Sequence, residues 1–282
     1  MNECFGRKFI LNGKLQTSDM FDNSLVYEGE SVYEVIRMER GSPVFFQDHM
    51  ERLGSSLVHQ HRKPLADYKR LRNDIITLVK TEKRREINLK IVFNYRKDME
   101  NYLVYFVEPI YPSEEQYRKG VKGILYHAER KTPGSKVINH KLRSSIYHRL
   151  ILEGAYEALL VNEDSCITEG SRSNIFFLKG EVLTTAPEKK VLGGITRKYI
   201  IEICRERNIS VDYRCVPSDT IGNFDAVFMT GTSPMVLPFC CIDDVRFRVD
   251  IPVIADLRRL YSEKADESIQ LFISGGQDQS SV

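Results

Sequence analysis

Along the first third of the chain, apolar positions fall into short alternating runs, then into helical spacing, then back into runs. Phe9 to Leu15 is predicted as a hairpin, because Asn12-Gly13 is a pair favoured by a type I′ turn. Ser31 to Met38 (SVYEVIRM) and Pro43 to Phe46 read as two strands joined at Gly41-Ser42. Helices are predicted over 48–60 and 65–82, the second from the spacing of Leu71, Ile75, Ile76 and Leu78. Ile87 to Tyr95 and Asn101 to Val107 form a further strand pair around the charged turn RKDME. The segment 110–120, mostly polar and containing Pro112, is predicted as a linker.

The pattern then resumes. Val121 to Tyr126 is a strand, and 142–153 is a helix after the Pro133-Gly134 loop. Glu157 to Val161, Ser165 to Thr168, Asn174 to Leu178 and Glu181 to Thr184 are short strands. GGITRKYIIEICRERN opens on glycines and continues with helical periodicity. Ala226 to Met229 and Val236 to Cys241 are strands, and 252–267 is a closing amphipathic helix. There is no internal repeat. Strands and helices mix without regular βαβ alternation, so mixed sheets are expected and a doubly wound sheet is not. The predicted fold class is α/β of the mixed α+β kind. A small N-terminal α/β domain covers 1–115, a larger domain 121–273, and a disordered tail 274–282 (SGGQDQSSV).

Composition narrows the function classes. Of 282 residues, 42% are hydrophobic and 28% charged, the balance of a soluble globular chain. The 41 basic and 39 acidic side chains nearly cancel, so net charge supplies no pull toward nucleic acid or an anionic membrane. No apolar run approaches the ~20 residues that span a bilayer. The start, MNECFGRKFILNGK, is too polar for a signal peptide, so a cytoplasmic protein is expected. Cys4, Cys166, Cys204, Cys215, Cys240 and Cys241 form no CxxC pair. Adjacent Cys240 and Cys241 have no histidine near them in sequence, and no metal site is expected.

Four separated segments carry residues suited to chemistry. In EGSRSNIFF (169–177), an acidic residue is followed by small polar residues and an apolar strand, which can hold a carboxylate; alone, such a glutamate is more often solvated. In LGGITRK (192–198), glycines lead into a helix whose free first amides and positive dipole end suit a phosphate; alone, an ordinary capped loop is equally good. MTGTSPMVLP (229–238) gathers the hydroxyls of Thr230, Thr232 and Ser233 about Gly231, where a backbone amide can come close to a ligand; alone, a plain turn is the commoner case. In FFQDHMERL (45–53), His49 and Arg52 share one helix face, and an arginine there can pair with phosphate in bidentate fashion, although most such arginines are solvated.

Together, in order and spacing, SVYEVIR, HMERL, TEGSRSNIF, GGITR and TGTSP resemble the class IV aminotransferases: branched-chain aminotransferases, D-amino acid aminotransferases and aminodeoxychorismate lyases. The resemblance spans nearly the whole chain. It implies a two-domain fold with pyridoxal 5'-phosphate between the domains and a homodimer in which a neighbour's loop reaches toward each site. It implies that Arg52, the turn of Leu192, Gly194, Ile195 and Thr196, and Gly231 with Thr232 hold the cofactor. It implies that Glu169 faces the pyridine nitrogen. A carboxylate there keeps that nitrogen protonated, so the ring can take up electrons when the substrate loses its α-proton.

The Schiff-base lysine is a choice between Lys136 and Lys141, which precede Glu169 by 33 and 28 residues. The family spacing is a few more than thirty, with Asn three residues after the lysine. Lys136-Val-Ile-Asn139 meets both conditions, and Lys136 is favoured. Transfer of an amino group between an amino acid and a 2-oxo acid, and elimination of pyruvate from aminodeoxychorismate, share this scaffold. VYEVIR resembles the aminotransferases, with Tyr33 on the substrate side and Ser233 near it. FNYRKDMEN lacks the glycines of the lyase pattern, so aminotransferase is preferred and lyase kept as the alternative. Arg96 loosely matches the arginine that grips the substrate carboxylate in D-specific members; Asp98 replaces their histidine. Lys141 stands where branched-chain enzymes place a tyrosine. Donor identity and stereochemistry stay open.

Overall fold

The computed structural model describes residues 3–130 and 132–275, so the tail predicted over 274–282 falls, from 276 onward, outside the described residues. The chain separates into two compact units: Met1–Pro109 with Ser135–Ile138 and Lys264–Val282, and Ile110–Gly134 with Asn139–Glu263. A single division near 115–121 therefore does not describe the grouping. The short segment bearing Lys136 and the end of the last helix go with the N-terminal residues.

The first unit is built on an antiparallel sheet. Its strands are β1 (Lys8–Leu11), β2 (Lys14–Thr17), β3 (Glu30–Glu39), β4 (Ser42–Pro43), β5 (Ile87–Tyr95) and β6 (Glu100–Val107), in the order β2-β1-β6-β5-β3-β4 among the described residues. Asn12 and Gly13 both take positive φ, 50° and 74°, as the predicted type I′ turn requires. β5 is buried along its full length because both faces of the sheet are covered. On one face Ile36, Leu89, Ile91 and Phe93 pack with Leu53 and Leu57 of α2 (Phe46–His59) and Leu71, Ile75 and Leu78 of α3 (Tyr68–Glu82), a one-turn helix α1 (Ser24–Tyr27) having preceded them. On the other lie Phe9, Phe21, Tyr33, Val92, Leu103 and Tyr105. The strand predicted to run through Phe46 stops at Pro43: Phe45 turns into left-handed space (φ 52°) and Phe46 opens α2.

In the second unit the segment predicted as a linker forms α4 (Glu114–Lys119). Ser113 and Gln116 close a reciprocal capping box at its start. Then come β7 (Val121–His127), α5 (His140–Glu153), β8 (Glu157–Val161), β9 (Cys166–Gly170), β10 (Asn174–Lys179), β11 (Val182–Thr185), α6 (Ile195–Glu206), β12 (Ser210–Tyr213), β13 (Val216–Pro217), β14 (Ala226–Gly231), β15 (Met235–Ile242) and β16 (Val245–Arg246). The closing helix α7 runs over Pro252–Ile273, beyond its predicted end. Among the described residues the strands form one mixed sheet, β12-β11-β10-β14-β15-β7-β8-β9-β13, with β16 on β15. β11–β12, β15–β7 and β7–β8 pair in parallel and the rest antiparallel. Inside it pack Leu159, Ile175, Phe177, Val227, Met229, Leu237 and Phe239, while α5 lays Ile146 and Leu150 on Ile124, Ala158 and Leu160. This register brings Asn174 at the start of β10 opposite Thr230 near the end of β14.

Candidate active site

Two clusters of polar residues are built by these elements, one in each unit. In the first, adjacent residues of β3 serve opposite faces of the sheet, as the period of a strand demands. Glu34 lies on the α2 side and is wholly buried. Its two oxygens accept from Arg52 Nε at 2.8 Å and Nη2 at 2.6 Å, a bidentate pair, and the second also meets His49 Nδ1 at 2.8 Å. Burial works against the ionised Glu34, but the Arg52 guanidinium, helped by His49, overcomes it and holds the carboxyl at about 2. Burial pushes His49 below its usual value, Glu34 opposing and the charges of Arg52 and Lys136 adding to the depression. A neutral imidazole donating through Nδ1 to Glu34 fits that direction.

Tyr33 belongs to the opposite face. The backbone of 135–138 pairs with the free edge of β3. Tyr33 N–H donates to the Lys136 carbonyl (3.1 Å), Ile138 N–H donates to the Ser31 carbonyl (3.1 Å), and Val137 bridges Val32. Lys136 N–H donates to Ser56 Oγ of α2 at 3.2 Å. The Lys136 ammonium stands 4.9 Å from the centre of the Tyr33 ring. A second lysine, Lys90, is 5.2 Å from the same ring and is almost fully buried, its charge met by Glu3 at 2.6 Å. Lys141, by contrast, is exposed in the first turn of α5. Arg96 is just past β5, ion-paired with Glu28 at 3.3 Å. Along the β3–β5 ladder Tyr95 pairs with Glu30 and Val92 with Tyr33, so Arg96 is well removed from Tyr33 within this unit.

The second cluster gathers Glu169, Leu192, Gly194, Thr196 and the end of β14. Glu169 is buried near the end of β9; one oxygen accepts from Leu192 N–H at 3.2 Å and the other is 2.9 Å from Arg130 Nε. Arg130 also donates to the Ser171 carbonyl at 3.0 Å. Asn174 donates to the Leu192 carbonyl at 2.9 Å, tying β10 to the loop before α6. Gly194 is the N-cap of α6 and has no side chain to occupy the helix amides. Thr196 Oγ1 lies 3.2 Å from the Tyr261 hydroxyl. Arg197 donates to the Ala186 carbonyl at 2.8 Å. Burial lowers its pKa, opposed by Glu188, Tyr213 and Glu169. Thr230 Oγ1 is buried and has no hydrogen-bond partner among the described residues. A helix start without a side-chain cap, beside a buried hydroxyl without a partner, is a donor set suited to a phosphate.

Residues 31–242 match the family described as Amino-transferase class IV. The chain belongs to the class IV aminotransferases. It is 27% identical over 252 residues to a D-alanine aminotransferase of Bacillus licheniformis, covering 84% of this chain and 88% of that protein. It is 23% identical over 243 residues to an aminodeoxychorismate lyase of Bacillus subtilis, covering 80% and 82%. In fold it is similar to the branched-chain aminotransferase of the thermophilic archaeon Thermoproteus uzoniensis, crystallised with norvaline. The TM-score is 0.82 at 20% identity, with 95% of this chain and 98% of that one covered. The mixed α/β fold is that of the class IV aminotransferases.

Several residues of these clusters escape a reading of the sequence. Glu34 is an acid inside a strand, a signal that is present but silent about which face it serves. Arg130 and Asn174 act through partners 39 and 18 residues away and carry no local pattern.

Proposed function

We propose that this class IV aminotransferase moves an amino group between an amino acid and a 2-oxo acid, using pyridoxal 5'-phosphate carried on Lys136. The observation that supports Lys136 over Lys141 is its setting. Its backbone is pinned on both sides, to Tyr33 and to Ser56, and its ammonium lies against the Tyr33 ring, whereas Lys141 is exposed on a helix. When bound, the cofactor supplies an electron sink for the pair left at the substrate's α-carbon.

The chain's own residues supply the rest. Lys136 Nζ moves the proton to and from the α-carbon. Arg52, oriented by Glu34, offers charge and directed N–H groups to the phosphate. The first amides of α6 with Thr196, and the Gly231-Thr232 turn, offer neutral donors to the same group. Glu169 faces the ring nitrogen, its carboxylate steadied by Leu192 N–H and Arg130. Tyr33 and Ser233 line the substrate side. The chain works as a homodimer in the cytoplasm. None of the six cysteines forms a disulfide, as a reducing compartment favours, and no helix among the described residues is long and apolar enough to cross a membrane.

The test is borohydride reduction of the holoenzyme followed by peptide mapping, with a panel of D- and L-amino donors against pyruvate and 2-oxoglutarate. The label is expected on Lys136. Lys136→Ala should lose the bound-cofactor absorbance and turnover, and Lys141→Ala should keep both. A label on Lys141 would refute the assignment. Pyruvate release from aminodeoxychorismate without amino transfer would replace the reaction with the lyase one.

A further inference from the structure

Glu157 opens β8, a strand whose five residues are all buried, and its own side chain is 1% exposed. A charged residue so placed must find its partners inside the protein. Those partners come almost entirely from one turn. Oε1 accepts from Ser171 N–H at 3.1 Å, from Ser171 Oγ at 2.6 Å and from Ala158 N–H at 2.9 Å. Oε2 accepts from Arg172 N–H at 3.3 Å and Ser173 Oγ at 2.9 Å. The turn is closed on itself by Gly170 N–H donating to the Ser173 carbonyl at 2.8 Å. A Cβ at Gly170 would collide with Ser173 Oγ at 2.1 Å and press against the Glu157 carboxylate at 3.2 Å.

The position of this turn gives the carboxylate its importance. It joins Glu169-Gly170, the end of β9, to Asn174, the start of β10. Glu169 is the residue read above as facing the cofactor's ring nitrogen. Asn174 holds the loop that leads into α6. Arg130, which pairs with Glu169, also donates to the Ser171 carbonyl within the same turn. All five Glu157 contacts are from donors, so both oxygens must accept. An amide of the same shape would set its NH2 against N–H and O–H groups and free the turn.

We propose that Glu157 is a positioning residue for catalysis: by fixing the Ser171–Ser173 turn it sets the Glu169 carboxylate on one side and the Asn174 anchor of the phosphate turn on the other. This rests on the role of Glu169 given under the proposed function. Both carboxylate oxygens are taken up by donors of the protein itself. The effect of Glu157 therefore passes through Glu169 and Asn174 or does not exist.

The experiment is a double-mutant cycle in the full-length holoenzyme with Glu157→Gln, Glu169→Gln and the pair, reading kcat, donor KM, cofactor Kd and melting of the cofactor-free protein. Glu157→Gln is expected to lower kcat at least tenfold, leave donor KM within about threefold, and weaken cofactor binding several-fold through Asn174. In the Glu169→Gln background the kcat effect of Glu157→Gln should shrink to under threefold, because the group it acts through is already disabled. The same tenfold loss in both backgrounds would mean a general loss of structure and would overturn the proposal, as would unchanged kcat and Kd. A normal kcat in Glu169→Gln alone defeats the role of Glu169 instead, and the two failures are distinct. If Glu157→Gln does not fold, Ser171→Ala and Ser173→Ala remove one donor each and take its place in the cycle, with the same outcomes decisive.

Discussion

The buried trio of Glu34, His49 and Arg52 shows how the arginine proposed to hold the cofactor phosphate is made rigid. An arginine on a long flexible stem loses side-chain entropy when it is fixed, and a bidentate carboxylate fixes it before any ligand arrives. Arg52→Ala is expected to weaken cofactor binding at least tenfold, about 1.4 kcal/mol or more. Glu34→Gln should keep the arginine but lose its orientation, giving a smaller loss of affinity and a lower melting temperature. Titration supplies a second check. Glu34 is held at about 2 against an ordinary 4.5, so its contribution to stability is complete above 4.5 and is lost as pH falls toward 2. His49 has its pKa depressed below 6.5, so the unfolded state binds more protons in that region. Stability is then full above 6.5 and declines as pH falls below it. Melting of the cofactor-free protein should show both losses, and His49→Gln should remove the upper one alone; a wild-type profile in that variant would dismiss the His49 contribution. The spacing of His49 and Arg52 is legible in the sequence because a helix puts such residues on one face. Glu34 is not, because nothing in a strand's alternation says which face meets which helix.

Among the elements, the long buried ones are readable from the sequence and the short exposed ones are not. β5 has its predicted limits, since nine consecutive buried residues leave little ambiguity about where it begins and ends. β12, β13 and β16 are two to four residues long and mostly exposed or half-buried, too short for any period to register. The segment 110–120 reads as a linker on its polarity and Pro112. Yet Ser113-x-x-Gln116 is a helix-start signature, and α4 is the helix it begins. Polarity misleads because α4 buries no residue and owes its start to its cap. Ser113→Ala should therefore destabilise the protein by about 1 kcal/mol, a sizeable change for a surface substitution. Denaturant melts can read this directly, and a change under about 0.3 kcal/mol would show α4 to be held by something other than its cap.

At the scale of the whole molecule, α5 presents a problem that a single chain leaves open. Its inner side is apolar, with Ile146 and Leu150 buried. Its outer side is mostly polar but carries three exposed apolar residues toward its end: Tyr147 and Ile151 are each 59% exposed, and Leu152 is 80% exposed. Tyr147 and Ile151 are four residues apart and so stand together on one face. Grouped exposed apolar residues mark contact surfaces more often than isolated ones do. A second copy of this chain is the cover that the homodimer reading supplies. Light scattering of the wild-type protein should give twice the 32.6 kDa chain mass. Ile151→Glu with Leu152→Lys should shift the population toward the single-chain mass, because burying two unpaired charges in an apolar interface costs several kcal/mol. The isolated chain should keep its secondary structure, since neither side chain belongs to the core. A wild-type protein that is monomeric and fully active would remove the homodimer. A dimer unaffected by the double variant would keep the homodimer and move its interface away from α5.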